Sequence, residues 1–378
     1  MTTLHETLQQ HVDSGEIPGA VGLVAGRGGV EVAAVGSLSL EGESPMRRDS
    51  IFRIASASKP ILAAGVMILV EAGLVALDDR VDRWLPELAS VRVLRTPTSE
   101  LDDTVPLLRP ITLFDLMTFR SGYGFPSDFS TPGVQALFAL QTGALPITDL
   151  SPDEWIAALA KVPALAQPGE TWLYNTSADI LSVLVPRIVG QSLPEFLSER
   201  VFEQLGMPDT GFAVPASQRD RFATFYEPDD RGSLQLADGP DGKWASLPSF
   251  PSGAGGLVST VDDWYAFAQM LLGGGEANGA RILGSDSVDE MMTDYLTDTQ
   301  REASLLFIEG QGWGFGGQVD VAENEPWNVI GRYGWVGGSG TSAFVTPSSR
   351  SVDILFTQRA MTGPTPPTLM RDFWRYAA

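Results

Sequence analysis

Strand-like patterns in this chain cluster near its two ends while helical patterns fill the stretch between, and this arrangement restricts the fold more than any other feature. Residues 20–25 and 30–35 are β-rich runs separated by Gly26-Arg27-Gly28-Gly29, the signature of a hairpin. Residues 51–54 read as a brief strand entering a helix over 57–72, and 312–319, 342–346 and 352–358 as further strands. Helical patterns occupy 152–160, 177–189, 193–205 and 261–272. A short helix at 112–118 is closed by Ser121-Gly122, a tight turn falls at 253–256, and a closing helix covers 365–376. Strands so far apart in sequence share a core only by pairing into one sheet. The expected fold class is therefore α+β: an antiparallel sheet from N- and C-terminal segments flanked by helices, with a central, mostly helical region. No repeat or linker divides it. One unit is expected over 1–378, with an α/β part of about 1–75 and 230–378 and a helical part of about 76–229.

Composition removes whole classes of chemistry. The chain has no cysteine, which excludes disulfides, thiolate metal sites and a cysteine nucleophile. Its only histidines, His5 and His11, sit off the apolar stripe of Leu4, Leu8 and Val12 in a first helix, and both are expected to be solvated. A Ser-His-Asp triad and a His-rich zinc site fall away with them, so any hydrolytic base lies elsewhere. The formal charge of −22 disfavours nucleic acid and anionic membrane surfaces as partners. No run of eighteen apolar residues is present to span a bilayer, and the first residues lack the basic start and apolar run of a secretory signal, so a cytoplasmic protein is expected.

Lysine is almost as scarce as histidine: Lys59, Lys161 and Lys243 are the only three. Lys59 belongs to Phe52-Arg53-Ile54-Ala55-Ser56-Ala57-Ser58-Lys59-Pro60, where Ser56 and Lys59 are three apart and share a helical face. Ser56 at a helix start would have backbone N–H groups and the dipole favouring an oxyanion. The apolar run 61–70 predicts a buried helix that discourages the Lys59 charge, and a lysine brought down towards neutrality can act as a base. A second segment, Pro168-Gly169-Glu170-Thr171-Trp172-Leu173-Tyr174-Asn175-Thr176, delivers Tyr174 just ahead of a helix. It reads either as a proton shuttle, held as or passing through phenolate, or as a packing tyrosine. A third, Tyr333-Gly334-Trp335-Val336-Gly337-Gly338-Ser339-Gly340-Thr341, offers either close backbone N–H groups for an oxyanion hole or a plain hairpin turn. Residues 124–150, rich in Pro, Gly and aromatics (Phe125, Phe129, Phe138), predict an elaborated loop over a site.

The three segments in this order resemble the serine β-lactamase-like superfamily, which embraces class C β-lactamases, D,D-peptidases and family VIII carboxylesterases. The likeness extends through 111–122, where relatives usually carry a histidine at the position of Phe119, and through 168–181, 202–212 and 252–267. It implies a β-lactamase/D,D-peptidase-like fold with Ser56 as nucleophile, Lys59 as its activator and Tyr174 as partner base and acid. The Ser56 and Gly338 N–H groups would form the oxyanion hole, and no metal or organic cofactor is needed. Tyr123, Phe125, Asn175, Thr176, Trp335 and Gly337 are expected to bind substrate.

Two departures from the family pattern matter. Tyr-x-Asn is replaced by Tyr174-Asn175-Thr176, leaving either Asn175 or Thr176 to support Lys59. The third motif of lactamases and peptidases begins with a cation, and here that position is Trp335, as in the Trp-Gly-Gly of family VIII esterases. Trp335 is expected as apolar wall, and Trp313 and Phe315 as either wall or core. There is no Gly-x-Ser-x-Gly elbow. The expected function is hydrolysis of small to medium, uncharged carboxylic esters through an acyl-enzyme. A β-lactamase, a D-amino-acid amidase or D,D-peptidase, an acyltransferase and a non-catalytic penicillin-binding-like module are the alternatives.

Overall fold

The computed structural model describes residues 2–42, 44–141 and 149–378. A seven-stranded antiparallel sheet joins the chain's ends: β1 (Gly19–Gly26), β2 (Gly29–Gly36), β3 (Gly312–Trp313), β4 (Gln318–Val319), β5 (Tyr333–Gly337), β6 (Thr341–Thr346) and β7 (Ser351–Thr357). Their order is β3-β4-β5-β6-β7-β1-β2, so the N-terminal hairpin is added to the edge of a C-terminal meander. Leu23 of β1 stands opposite Ile354 of β7, Ile354 opposite Ala343 of β6, and Ala343 opposite Trp335 of β5. Because side chains alternate along a strand, this row shares one face. The neighbouring row, Gly22, Leu355 and Ser342, faces the other way.

Helices Leu4–Asp13 and Thr368–Ala377 cover that second face. A Cβ on Gly22 would lie 2.9 Å from Leu8 and 3.3 Å from Phe373, and Trp374 Nε1 donates to Ser342 Oγ at 2.8 Å. Helices Lys59–Glu71 and Val261–Leu272 pack behind the first face, where Trp264 Nε1 donates to the Ala57 carbonyl at 3.1 Å. The helical region contributes Leu113–Met117, Pro132–Phe138, Pro152–Leu159, Thr176–Val189 and a helix from 193 to 205 that passes through one π turn, Ser198–Phe202. Among the described residues no single helix is long and apolar enough to cross a membrane.

Two expectations are corrected. The strand expected over 312–319 is a hairpin of two short strands, because Gly314-Phe315-Gly316-Gly317 turns back on itself with the Gly314 N–H on the Gly317 carbonyl at 2.9 Å. His11 is buried rather than solvated, since the closing helix brings Asp372 to 3.3 Å from Nε2 while Glu16 lies 2.7 Å from Nδ1. His5 is exposed, as expected.

Candidate active site

The turn carrying Ser56 is clamped before the helix begins. Residues Phe52–Arg53 pair with Val258–Ser259, and the turn after β5 grips the same segment: Ser339 Oγ donates to the Arg53 carbonyl at 2.5 Å and Thr341 Oγ1 to the Ile54 carbonyl at 2.9 Å. Ala55 then adopts a left-handed φ of 43° and opens a 3₁₀ turn, Ala55–Ser58, that runs into helix Lys59–Glu71. A non-glycine residue in that region signals stored strain. Gly337, expected to bind substrate, is buried instead against this turn, where a Cβ would fall 2.3 Å from the Ile54 carbonyl.

Lys59 is 1% exposed and its ammonium is saturated. It donates to Ser56 Oγ at 2.8 Å, to Asn175 Oδ1 at 2.8 Å and to the Ala254 carbonyl at 2.5 Å. Burial pulls it down to about 7, against the opposing pull of the Asp179 charge. The lysine partner left open by the sequence is therefore Asn175. Thr176 Oγ1 is buried without a hydrogen-bond partner and does not reach Lys59.

Tyr174 is brought in by backbone pairing with Phe125, at 2.9 and 3.0 Å, next to Gly124, whose φ of 144° and lack of a Cβ permit the close approach. It lines the same cleft as Ser56, its hydroxyl accepts from Trp335 Nε1 at 2.7 Å, and its ring centre lies 4.8 Å from Lys59 Nζ. Burial pushes the phenol up to about 12, with Ser56 and Trp335 opposing. The phenol is thus the resting form, not the phenolate the sequence admitted.

Ser56, Tyr174, Asn175 and Gly338 open onto a cleft of about 350 Å³. Phe125, Phe129, Phe138, Phe307 and Pro364 form apolar walls, with Phe125 and Phe138 stacked at 4.6 Å, and no lining residue among those described is charged. The loop expected over 124–150 thus supplies three walls and Gln141, while its residues 142–148 lie outside those described. Tyr123 does not line the cleft. It is fully buried with its hydroxyl on the Val162 carbonyl at 3.1 Å. Trp335, expected as wall, is buried behind Tyr174, and Trp313 and Phe315 are core.

Residues 4–371 match the Beta-lactamase family. The chain belongs to that family. This Beta-lactamase family member is 38% identical to Protein Rv1367c of Mycobacterium tuberculosis, over 91% of its own length and 86% of the relative's. It is 30% identical to Esterase EstB of Burkholderia gladioli, over 96% and 92% of the two chains. Among solved structures it superposes on EstCE1, described as a hydrolase with promiscuous acyltransferase activity, with a TM-score of 0.78 at 25% identity, covering 98% and 97%.

In this Beta-lactamase family chain, sequence reasoning missed three contributors to the site. Asp179 is buried one helical turn after Asn175, accepting from Asn175 Nδ2 at 2.9 Å and Ser252 Oγ at 2.5 Å. Burial raises its carboxyl to about 6, while the Ser252 bond and the Lys59 charge oppose. The four-residue spacing from Asn175 was a usable signal. Ala254 and Phe307 carried none, since a backbone carbonyl and a wall residue leave no mark in sequence.

Proposed function

We propose that this protein is a serine carboxylesterase that hydrolyses small to medium, uncharged esters through an acyl-enzyme on Ser56, the whole chain acting as one catalytic unit. The observation that carries the reading is the Lys59 contact set. Two of its three acceptors, Asn175 Oδ1 and the Ala254 carbonyl, can only accept, whereas Ser56 Oγ can also donate. When the amine loses a proton, its lone pair is left facing the serine hydroxyl.

Neutral Lys59 takes the Ser56 proton as Oγ attacks the ester carbonyl, and the N–H groups of Ser56 and Gly338 hold the oxyanion. The Tyr174 phenol protonates the departing alkoxide and recovers its proton from the Lys59 ammonium. In the second half, water attacks the acyl-enzyme, its proton passes to the same pair, and Ser56 Oγ is reprotonated as the acid leaves. The uncharged, phenylalanine-rich cleft supports a neutral ester, and the replacement of a third-motif cation by Trp335 argues against carboxylate-bearing lactams. The names of EstB and EstCE1 support ester chemistry, and the latter supports acyl transfer to an alcohol as a second outcome at the same site.

Purified protein assayed with p-nitrophenyl butyrate and nitrocefin, with Ser56→Ala as control, tests the reading. Ester turnover lost in the variant, with little nitrocefin cleavage, is expected. Nitrocefin turnover exceeding ester turnover overturns it in favour of a lactamase, and a stoichiometric burst without turnover points to a binding module.

A further inference from the structure

Two of the three acceptors around Lys59 are held from behind by one group. Asp179 projects from helix Thr176–Val189, is 6% exposed and does not reach the nucleophile or line the cleft. Its Oδ2 accepts from Asn175 Nδ2, which turns Asn175 Oδ1 towards Lys59. Its Oδ1 accepts from Ser252 Oγ, and Ser252 Oγ in turn accepts the Ala254 N–H at 3.1 Å, so the turn presenting the Ala254 carbonyl is fastened to the carboxylate through Ser252. Ser182, one turn further along the helix, holds the Gly253 N–H at 2.8 Å.

Two donors thus converge on Asp179, one from each neighbour that fixes Lys59. A carboxylate has an acceptor oxygen for each, while an asparagine offers one oxygen and one N–H₂. An asparagine there would either lose Ser252 or force the Asn175 amide to turn over, presenting N–H₂ to Lys59 in place of its oxygen. We infer that Asp179 is the positioning residue of this site, aiming the Lys59 amine at Ser56 by orienting both of the amine's other acceptors. The carboxylate also supplies the countercharge of the buried ammonium. Lys59, Asp179 and Tyr174 are the titratable groups that meet here.

The inference rests on the esterase reading only for the rate it affects, and Lys59 can be watched directly. With three lysines in the chain, ¹³Cε-lysine NMR gives three signals, and Lys59→Met identifies one of them. In Asp179→Asn the Lys59 midpoint is expected to fall by about one pH unit, since a nearby opposite charge shifts a group by roughly 1–3 units. The acid limb of kcat/KM for p-nitrophenyl butyrate should move with it, and kcat/KM should drop about a hundredfold, the lower range for a misplaced general base. Ser252→Ala, which keeps the charge but removes a bond that favours it, should shift the signal the same way by less, and it serves if Asp179→Asn fails to fold. A Lys59 midpoint unmoved in either folded variant overturns the positioning role whatever the turnover. A moved midpoint in a protein whose wild type turns over no ester supports the positioning and overturns the esterase reading alone.

Discussion

Trp335 Nε1 donates a 2.7 Å hydrogen bond to the Tyr174 hydroxyl, joining the middle of β5 to the loop ahead of helix Thr176–Val189. The bond occupies one lone pair of the phenol oxygen. A tryptophan at this position therefore acts on the chemistry from behind the tyrosine, without facing the substrate. Trp335→Phe should keep the aromatic packing and lose only the bond, worth about 0.5–1.5 kcal/mol. The expected result is a fall in kcat of up to about tenfold, with KM for p-nitrophenyl butyrate little changed.

The pH profile follows from Lys59. Burial disfavours the ammonium, so the neutral amine becomes available from about 7 rather than above the ordinary lysine range. Below that point kcat/KM should fall tenfold per pH unit, and above it reach a plateau. A flat profile between pH 5 and 9 (about two units either side of neutrality) would remove Lys59 as the base.

Asn175 has φ 78° and ψ −64°, and the Thr176 N–H bonds the Tyr174 carbonyl at 3.1 Å across it. This is a tight γ-turn, a strained conformation for a residue with a side chain. Asn175→Gly should relax the strain and hold or raise Tm, yet lose activity about a hundredfold through the missing acceptor. Asn175→Ala should lose activity likewise and keep the strain, so the glycine variant is expected to melt higher. Equal activity in Asn175→Gly and wild type would show the amide to be dispensable.

Gly337→Ala places a methyl group 2.3 Å from the Ile54 carbonyl and 3.3 Å from Ala55 Cβ. Backbone must give way, at a cost of about 1–3 kcal/mol. Because the displaced segment carries Ser56, the loss of kcat/KM is expected to exceed what the drop in Tm explains. Wild-type kinetics in a destabilised variant would contradict this.

Local physics made much of the site legible. Ser56 and Lys59 meet because residues three apart on one turn share a face, and 61–70 is apolar enough to bury the lysine. Tyr174 and Phe125 were visible as an aromatic delivered by a Pro-Gly turn and an aromatic in a loop. The failures share a cause. Tyr123 and Trp335 are large aromatics near motifs, and sequence cannot say whether such a ring faces a cavity or the core. His11 looked solvated because its neighbour Asp372 arrives from the far end of the chain.

The sheet built from both ends, the missing histidine base and the Ser56–Lys59 pair were legible along the chain, because each follows from composition or short-range periodicity. Tertiary structure decided that Asn175 rather than Thr176 supports Lys59, that Trp335 bonds Tyr174, and that Asp179 lies behind both Asn175 and Ser252. The partners in two of these contacts, Lys59 with Asn175 and Trp335 with Tyr174, are more than a hundred positions apart. Their geometry is set by strand register and by how a strained turn docks against a helix, and both depend on the packing of the whole chain.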